Sequence, residues 1–480
     1  MKRQKWHNRF MVGVGALLVF CMAGCGSQGQ SNTRTENSIQ TADDSQAGND
    51  ILTGSNRQTK EGALVGEPAS YTFVQNFSYE LFEQNIEQEN PVLSPVSAYF
   101  AIGLAGIGSE GETAEEFNEV LGGSYEELSK DLMGRLLQET DFLQWNKDAS
   151  SKIGEPSGET KDVPQKDGLQ VSIANSAWLE EDFGATCTRT TEGATMTERL
   201  TVKQEWLDDA KDFYNAEIVQ TELSTVETQE RINTWLNRKT NGLIKDFLSE
   251  PLPNDTRLAL FNTVYFHGNW KNPFEAYMTG EQEFTTNSGE KLKVGMMQMY
   301  FTRQQYLGND IAEGVILPYQ GGSYSFVALK PAGGSSVREM YAQLTLDEIS
   351  RMIDEAQEID INLRLPKFEI TYEQKLNDSL ENMGLKRAFD PENADFSGIG
   401  NISEGHNLYI DLVRQKAVIR VDEEGTEAAA VTEAAMADGG VMMMEPPKDV
   451  FFDQPFLYLI MEKETKVPLF MGIMDNPKDL

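Results

Sequence analysis

Few side chains in this 480-residue chain are spaced for catalysis. It has three histidines, and it lacks a His-Glu-x-x-His run, a Gly-x-Ser-x-Gly elbow and a Walker-type lysine loop. His267 follows the apolar run 258–266 and reads as a structural residue in a turn. With 76 acidic residues, no carboxylate pair can be singled out for acid–base work without geometry. Cys187 lies in a polar run, Thr186-Cys187-Thr188-Arg189, with no histidine near it in sequence, which argues against a catalytic thiol. No metal-ligand spacing or cofactor motif is present, so the expectation is no enzyme activity, no cofactor and no metal.

One stretch stands out by its pattern. Residues 421–447 read VDEEGTEAAAVTEAAMADGGVMMMEPP. Taken as a strand, one face carries Thr426, Ala428, Ala430, Thr432, Ala434 and Met436, all small or apolar. The opposite face carries Glu427, Ala429, Val431, Glu433, Ala435 and Ala437, with both carboxylates on that side. A helix would put Glu427 and Glu433 on widely separated faces, although the alanine content favours a helix locally. Two readings are therefore open. One is an exposed Ala/Glu-rich helix or flexible linker; the other is a mobile loop with the pattern of a buried strand, since no proline precedes Pro446.

The rest of the chain must position that stretch. The formal net charge of −35 disfavours nucleic acid as a partner. The first 24 residues read as an export signal: Lys2, Arg3, Lys5 and Arg9, then the apolar run 10–20, too short to span a bilayer. The signal ends in Met22-Ala23-Gly24-Cys25, similar to a bacterial lipobox, which makes Cys25 the candidate lipidation site, with plain secretion as the alternative. Residues 25–66 are polar and read as a tether with an end-to-end distance of roughly 35 Å. With Cys21 in the signal and Cys25 as anchor, only Cys187 remains, so there is no disulfide framework and a large core is required.

From about residue 67 the composition is that of one globular domain running to 480. Ser94-Pro95 reads as a helix start, and the apolar run 98–107 as a buried helix. Further helices are expected at about 114–121, 125–137 and 203–215, and around Ile232, Trp235 and Leu236. Residues 147–168 and 184–198 read as polar insertions. The second half is strand-rich: 258–266, 314–319 with 324–329 as a hairpin, and 456–461 with 467–471 as a closing hairpin. The run 361–370 alternates and is expected to lead into a helix ending at Met383. Helices come mainly first and strands mainly later, without a βαβ rhythm, which is an α+β domain.

Several landmarks, in one order, resemble the serpins. They include Asn90-Pro91…Ser94-Pro95…Ser97, Ile232-Asn233-x-Trp235-Leu236, and Asn262-x-x-Tyr265-Phe266-x-Gly268-x-Trp270. Leu317-Pro318-Tyr319, Leu365-Pro366-Lys367-Phe368, Glu424-Gly425-Thr426-Glu427-Ala428-Ala429 and Phe470-Met471-Gly472 follow. The resemblance runs from about Tyr71 to Leu480. It implies three β-sheets, about nine helices and an exposed reactive loop near the C-terminal end, about 423–447. It also implies a suicide-substrate inhibitor that is a monomer. A serine or cysteine protease attacks the loop, and the acylated loop inserts as a strand in the main sheet.

The resemblance further assigns a hinge of Glu423, Glu424, Gly425, Thr426, Glu427, Ala428, Ala429, Ala430, Val431 and Thr432. Shutter and breach residues would be Ser94, Ser97, Asn262, Trp270 and Gln415. Counting from Glu423 places the scissile bond at Gly439-Gly440, with Val441, Met442, Met443 and Met444 as alternatives because the segment is long. No Lys or Arg lies between Arg420 and Lys448, which disfavours trypsin-like targets and favours elastase-like or subtilisin-like ones. Gln415 stands where the family usually has a histidine. Gln415 is expected to bond Asn262, or Ser94 and Ser97, and to leave sheet opening insensitive to pH near neutrality. The alternative is a non-inhibitory serpin-fold binding protein whose loop is only cut, which Asp438 on the inserting face would favour.

Overall fold

The structure, a computed structural model, describes residues 71–138, 169–181, 189–191, 194–196, 200–401, 407–426 and 446–477. The signal, tether, Cys25, Cys187 and the loop from Glu427 to Glu445, including Gly439 to Met444, lie outside the described residues. Among the described residues there are nine α-helices and two large sheets, an α+β fold.

Pro95–Gly106 forms the core helix. Pro95 occupies its first turn, where a missing N–H costs nothing, and every residue of the helix is buried. An apolar helix with no polar face must be covered on all sides. It packs against the strands Leu169–Glu180, Leu258–Asn269 and Pro468–Met474, and so ties both large sheets together.

The six-stranded sheet runs Phe368–Lys375, Leu412–Val421, Gly425–Thr426, Leu258–Asn269, Leu169–Glu180 and Glu217–Thr221. Its outer face is covered by the helix Val226–Lys239, through a second apolar cluster that includes Trp178, Ile232, Trp235, Leu236, Phe247 and Phe261. The nine-stranded sheet holds both expected hairpins. Its 18-residue strand Lys291–Gly308 pairs with Gln357–Pro366 along one stretch and with Ala312–Pro318 at its end. Two of the three expected sheet layers therefore share one continuous ladder.

Three local expectations change. The run 361–370 is two strands in different sheets, because Pro366, with no N–H to donate, is the last residue of the first ladder and Phe368 opens the second. The second of these strands extends to Lys375, so the following helix is only Asn377–Met383. His267 lies inside the strand Leu258–Asn269 and is buried, not in a turn after it. The polar segment 184–198 contains a short hairpin, Arg189–Thr191 with Ala194–Met196.

Candidate functional site

The centre of the six-stranded sheet is incompletely paired. The strands Leu412–Val421 and Leu258–Asn269 are parallel neighbours, but their ladder covers only Leu412↔Ala259, Val413↔Leu260, Arg414↔Phe261 and Gln415↔Asn262. Beyond that, among the described residues, no ladder joins 416–420 to 263–267. At the far end, the chain turns back at 422–424 and inserts Gly425–Thr426 between the two strands. Thr426 pairs antiparallel with Val421 on one side and Gly268 on the other. The result is a slot five register positions long, about 20 Å of strand from Gln415 to Val421.

The upper end is held by Trp270. Its backbone N–H donates to the Glu424 carbonyl (2.8 Å), and its Nε1–H to the Asp422 carbonyl (2.9 Å), while the Phe274 N–H donates to the Glu423 carbonyl (2.8 Å). All three carbonyls of the turn are thus bound by one segment. The Asp422 carboxylate accepts the N–H groups of Glu424 and Gly425, which closes an Asx-type turn. Trp270 stacks on Tyr319 at 4.7 Å between centroids, and the Tyr319 hydroxyl meets Thr426 Oγ1 at 2.7 Å. Burial pushes the Tyr319 hydroxyl far above its usual range, so it stays neutral. Gly425 is required for packing: a Cβ there would stand 2.0 Å from the Gly268 carbonyl oxygen and 2.7 Å from Asn269 Cα.

Charge is concentrated at this turn. Lys367 Nζ pairs with Glu423 at 2.8 Å. Burial is the largest influence on the Glu423 carboxylate and works against it, but the Lys367 hydrogen bond, further hydrogen bonds and the Lys367 charge together outweigh it and hold the group below the usual range. Glu424 goes the other way: desolvation first, then repulsion from Asp422 and Glu423, pushes it up. Burial lowers the His267 imidazole, with Asp422 acting against that shift.

The lower end is closed by Gln415. The Ser94 N–H donates to Gln415 Oε1 and Gln415 Nε2 donates to the Ser94 carbonyl, both at 2.8 Å, so one side-chain amide bonds both backbone groups of Ser94. Gln415 therefore binds the Ser94 backbone instead of Asn262 or the serine hydroxyls. Asn262 donates through Nδ2 to Asn175 Oδ1, and Asn175 donates to the Tyr214 carbonyl at 3.1 Å. Around the slot, on both faces of the sheet, Ser94 Oγ, Ser97 Oγ, Asn262 Oδ1, Thr263 Oγ1 and His267 Nδ1 are buried without a hydrogen-bond partner among the described residues.

Ser94, Ser97, Asn262 and Gln415 thus gather at one end of the slot, with Trp270 and the described hinge residues Glu423, Glu424, Gly425 and Thr426 at the other. Asn175, His267, Tyr319, Lys367 and Asp422 also belong to the site. Of these, Tyr319 and Lys367 sat in sequence landmarks, while Asn175 carried no signal of its own. Among the described residues no cluster of three or more His, Cys, Asp or Glu could hold a metal ion, and no helix is long and apolar enough to cross a membrane.

A family model described as "Serpin (serine protease inhibitor)" matches residues 72–477. An uncharacterized serpin-like protein of Thermococcus kodakarensis is 30% identical over 476 residues, 98% of this chain and 100% of its own. Iripin-1 of Ixodes ricinus is 32% identical over 393 residues, 81% of this chain and 89% of its own. Among solved structures, the thermophilic serpin Tengpin in its native state is 29% identical with a TM-score of 0.70, covering 86% of this chain and 96% of that one.

Proposed function

The chain belongs to the serpin family, and on that premise we propose that it is a suicide-substrate inhibitor of serine proteases. The observation that carries this reading is Thr426, laddered on both sides at the head of a slot that no described strand fills. Each further residue of the loop steps one residue back along both neighbours. Glu427 would lie between Arg420 and His267, Ala428 between Ile419 and Phe266, and Ala430 between Ala417 and Val264. The inward positions meet the core, and their small side chains fit a packed sheet. Serpin loop insertion is itself a standard example of strand addition.

The register divides insertion in two. Glu427 to Val431 would fill the slot without breaking an existing pair. Thr432 would then reach Gln415 and Asn262, and further insertion must open the four pairs from Leu412↔Ala259 to Gln415↔Asn262. New ladder bonds at about 1 kcal/mol each replace those lost, so the second stage exchanges one ladder for two.

Gly439-Gly440 is the favoured scissile bond, with Val441 to Met444 as alternatives. The absence of Lys and Arg from 421 to 447 supports an elastase-like or subtilisin-like target. The signal-like start and the Met22-Ala23-Gly24-Cys25 motif support export and lipid anchoring at Cys25 on the outer face of a bacterial cell membrane. The test is to mix the protein with pancreatic elastase and with subtilisin. A complex that survives boiling in SDS, with a cut between 439 and 444, is expected. Cleavage with neither a complex nor a rise in thermal stability would overturn the proposal.

A further inference from the structure

The outward edge of the slot is cationic. On the strand Leu412–Val421, Val413, Gln415, Ala417, Ile419 and Val421 are buried toward the core, so Arg414, Lys416 and Arg420 share the outer face. Three cations on one strand stand out in a chain with a formal net charge of −35. The opposite edge offers Thr263, Tyr265 and His267 on that face, with no carboxylate. Among the described residues these cations have two carboxylates between them, and Arg414 and Lys416 also lie over the Phe247 ring. Arg414 and Lys416 share one carboxylate, Glu373, at 3.5 and 3.7 Å, and Arg420 has Asp422 at 3.5 Å.

We propose that Arg420 and Arg414 set the register of the segment that fills this slot, by pairing with Glu427 and Glu433. The occupant is the chain's own segment from Glu427 onward, which begins where Thr426 leaves the ladder. This rests on the insertion reading above. Continued from the Val421↔Thr426 pair, the register sets Glu427 opposite Arg420 and Glu433 opposite Arg414, with side chains on the same face. These are the two carboxylates on the outward face of that segment.

The match is unique among neighbouring registers. A slip of one residue turns both glutamates into the core. A slip of two in one direction sets them opposite Val418 and Leu412, both apolar. A slip of two in the other direction sets Glu433 against Lys416 but Glu427 against Asp422, so only the unslipped register pairs both glutamates with cations. Alanine-rich segments are weakly specified by shape, because an Ala-for-Ala shift costs little packing. Charge therefore supplies the discrimination that side-chain volume does not. Directly opposed unlike charges on a sheet are favourable and like charges unfavourable.

The test is a charge-swap cycle on the whole protein: Glu427→Arg, Glu433→Arg, Arg420→Glu, Arg414→Glu, and the doubles E427R/R420E and E433R/R414E. Glu290→Arg, in the exposed turn between the strands Gly280–Thr285 and Lys291–Gly308, controls for net charge. The readouts are the ratio of trapped to released subtilisin and the thermal shift after the loop is cut. Each single swap is expected to lower the trapped fraction relative to release by about fivefold, and each double to restore it. The loop-side variants leave the sheet intact, so their loss cannot come from misfolding of the sheet.

If the wild type gains stability on cleavage but singles match it, or doubles are no better than singles, the pairing is wrong while insertion stands. If the cut wild type gains no stability, the insertion reading fails and the pairing with it. If the gain is confined to dimers or larger species by size exclusion, a second copy fills the slot and the committed occupant is wrong.

Discussion

Gln415→Ala tests the lower closure of the slot. Gln415 is 3% exposed, and its amide is the partner of both backbone groups of Ser94. Truncation leaves the buried Ser94 N–H without its partner, at about 1–3 kcal/mol, and removes one of two bonds to the Ser94 carbonyl, which keeps the Ala98 N–H at 3.2 Å, at about 1 kcal/mol. A central value of about 3 kcal/mol follows. At about 2.1 cal/mol/K per residue, a folded part of roughly 400 residues has an unfolding entropy near 0.8 kcal/mol/K. Tm should therefore fall by about 4 °C. Gln415→Glu keeps the acceptor for the Ser94 N–H but loses the donor, and also buries a charge, so its loss should be at least as large. Scanning calorimetry of the intact protein measures both, and hydrogen exchange at the Ser94 amide localises the effect. A Tm within 1 °C of wild type together with unchanged Ser94 exchange would refute the clamp.

Other outcomes follow from the same geometry. His267 has a lowered pKa in the fold, so the unfolded chain takes up its proton first; native stability should fall as pH drops below about 6.5, and His267→Gln should flatten that dependence in pH-dependent denaturant titrations. The non-titrating Gln415 therefore leaves only the lower end of the slot insensitive to pH. Gly425→Val should abolish trapping while the loop is still cut, because its Cβ would overlap the Gly268 carbonyl; a normal SDS-stable complex from this variant would contradict the packing. Lys367→Met removes the 2.8 Å partner of Glu423, and a loss of about 1–2 kcal/mol should appear at neutral pH and fade as pH falls through the Glu423 titration, seen by chemical denaturation at pH 7 and pH 3. Oxidation of Met442 to Met444 should reduce trapping if the target binds there, read by gel after mild peroxide treatment.

Part of this site was legible in the residue pattern because strand geometry is local. The period-two split of 426–437 depends only on alternation along one segment, and the small inward residues and paired outward glutamates could be read without knowing their neighbours. The buried helix Pro95–Gly106 was equally plain, since twelve residues without a charge can sit only inside. The order of landmarks carried the family.

Contacts between distant segments were not legible. Gln415 and Ser94 are 321 residues apart, and an amide that could bond several neighbours chooses the Ser94 peptide only because the parallel ladder brings both to one end of the slot. His267 looked like a turn residue because the apolar run stops before it; the strand continues because Gly268 and Asn269 find Thr426 and Gly425 as partners. The split of 361–370 between two sheets follows the same logic, since alternation is identical on either side of Pro366. By itself the sequence determined the family, the faces of the loop and the charges on it. The length of the slot, the residues at its two ends and the register that aligns Arg420 and Arg414 with those charges were decided by tertiary structure, because hydrogen-bond partners across a sheet are set by which strands meet and not by the order in which they are written.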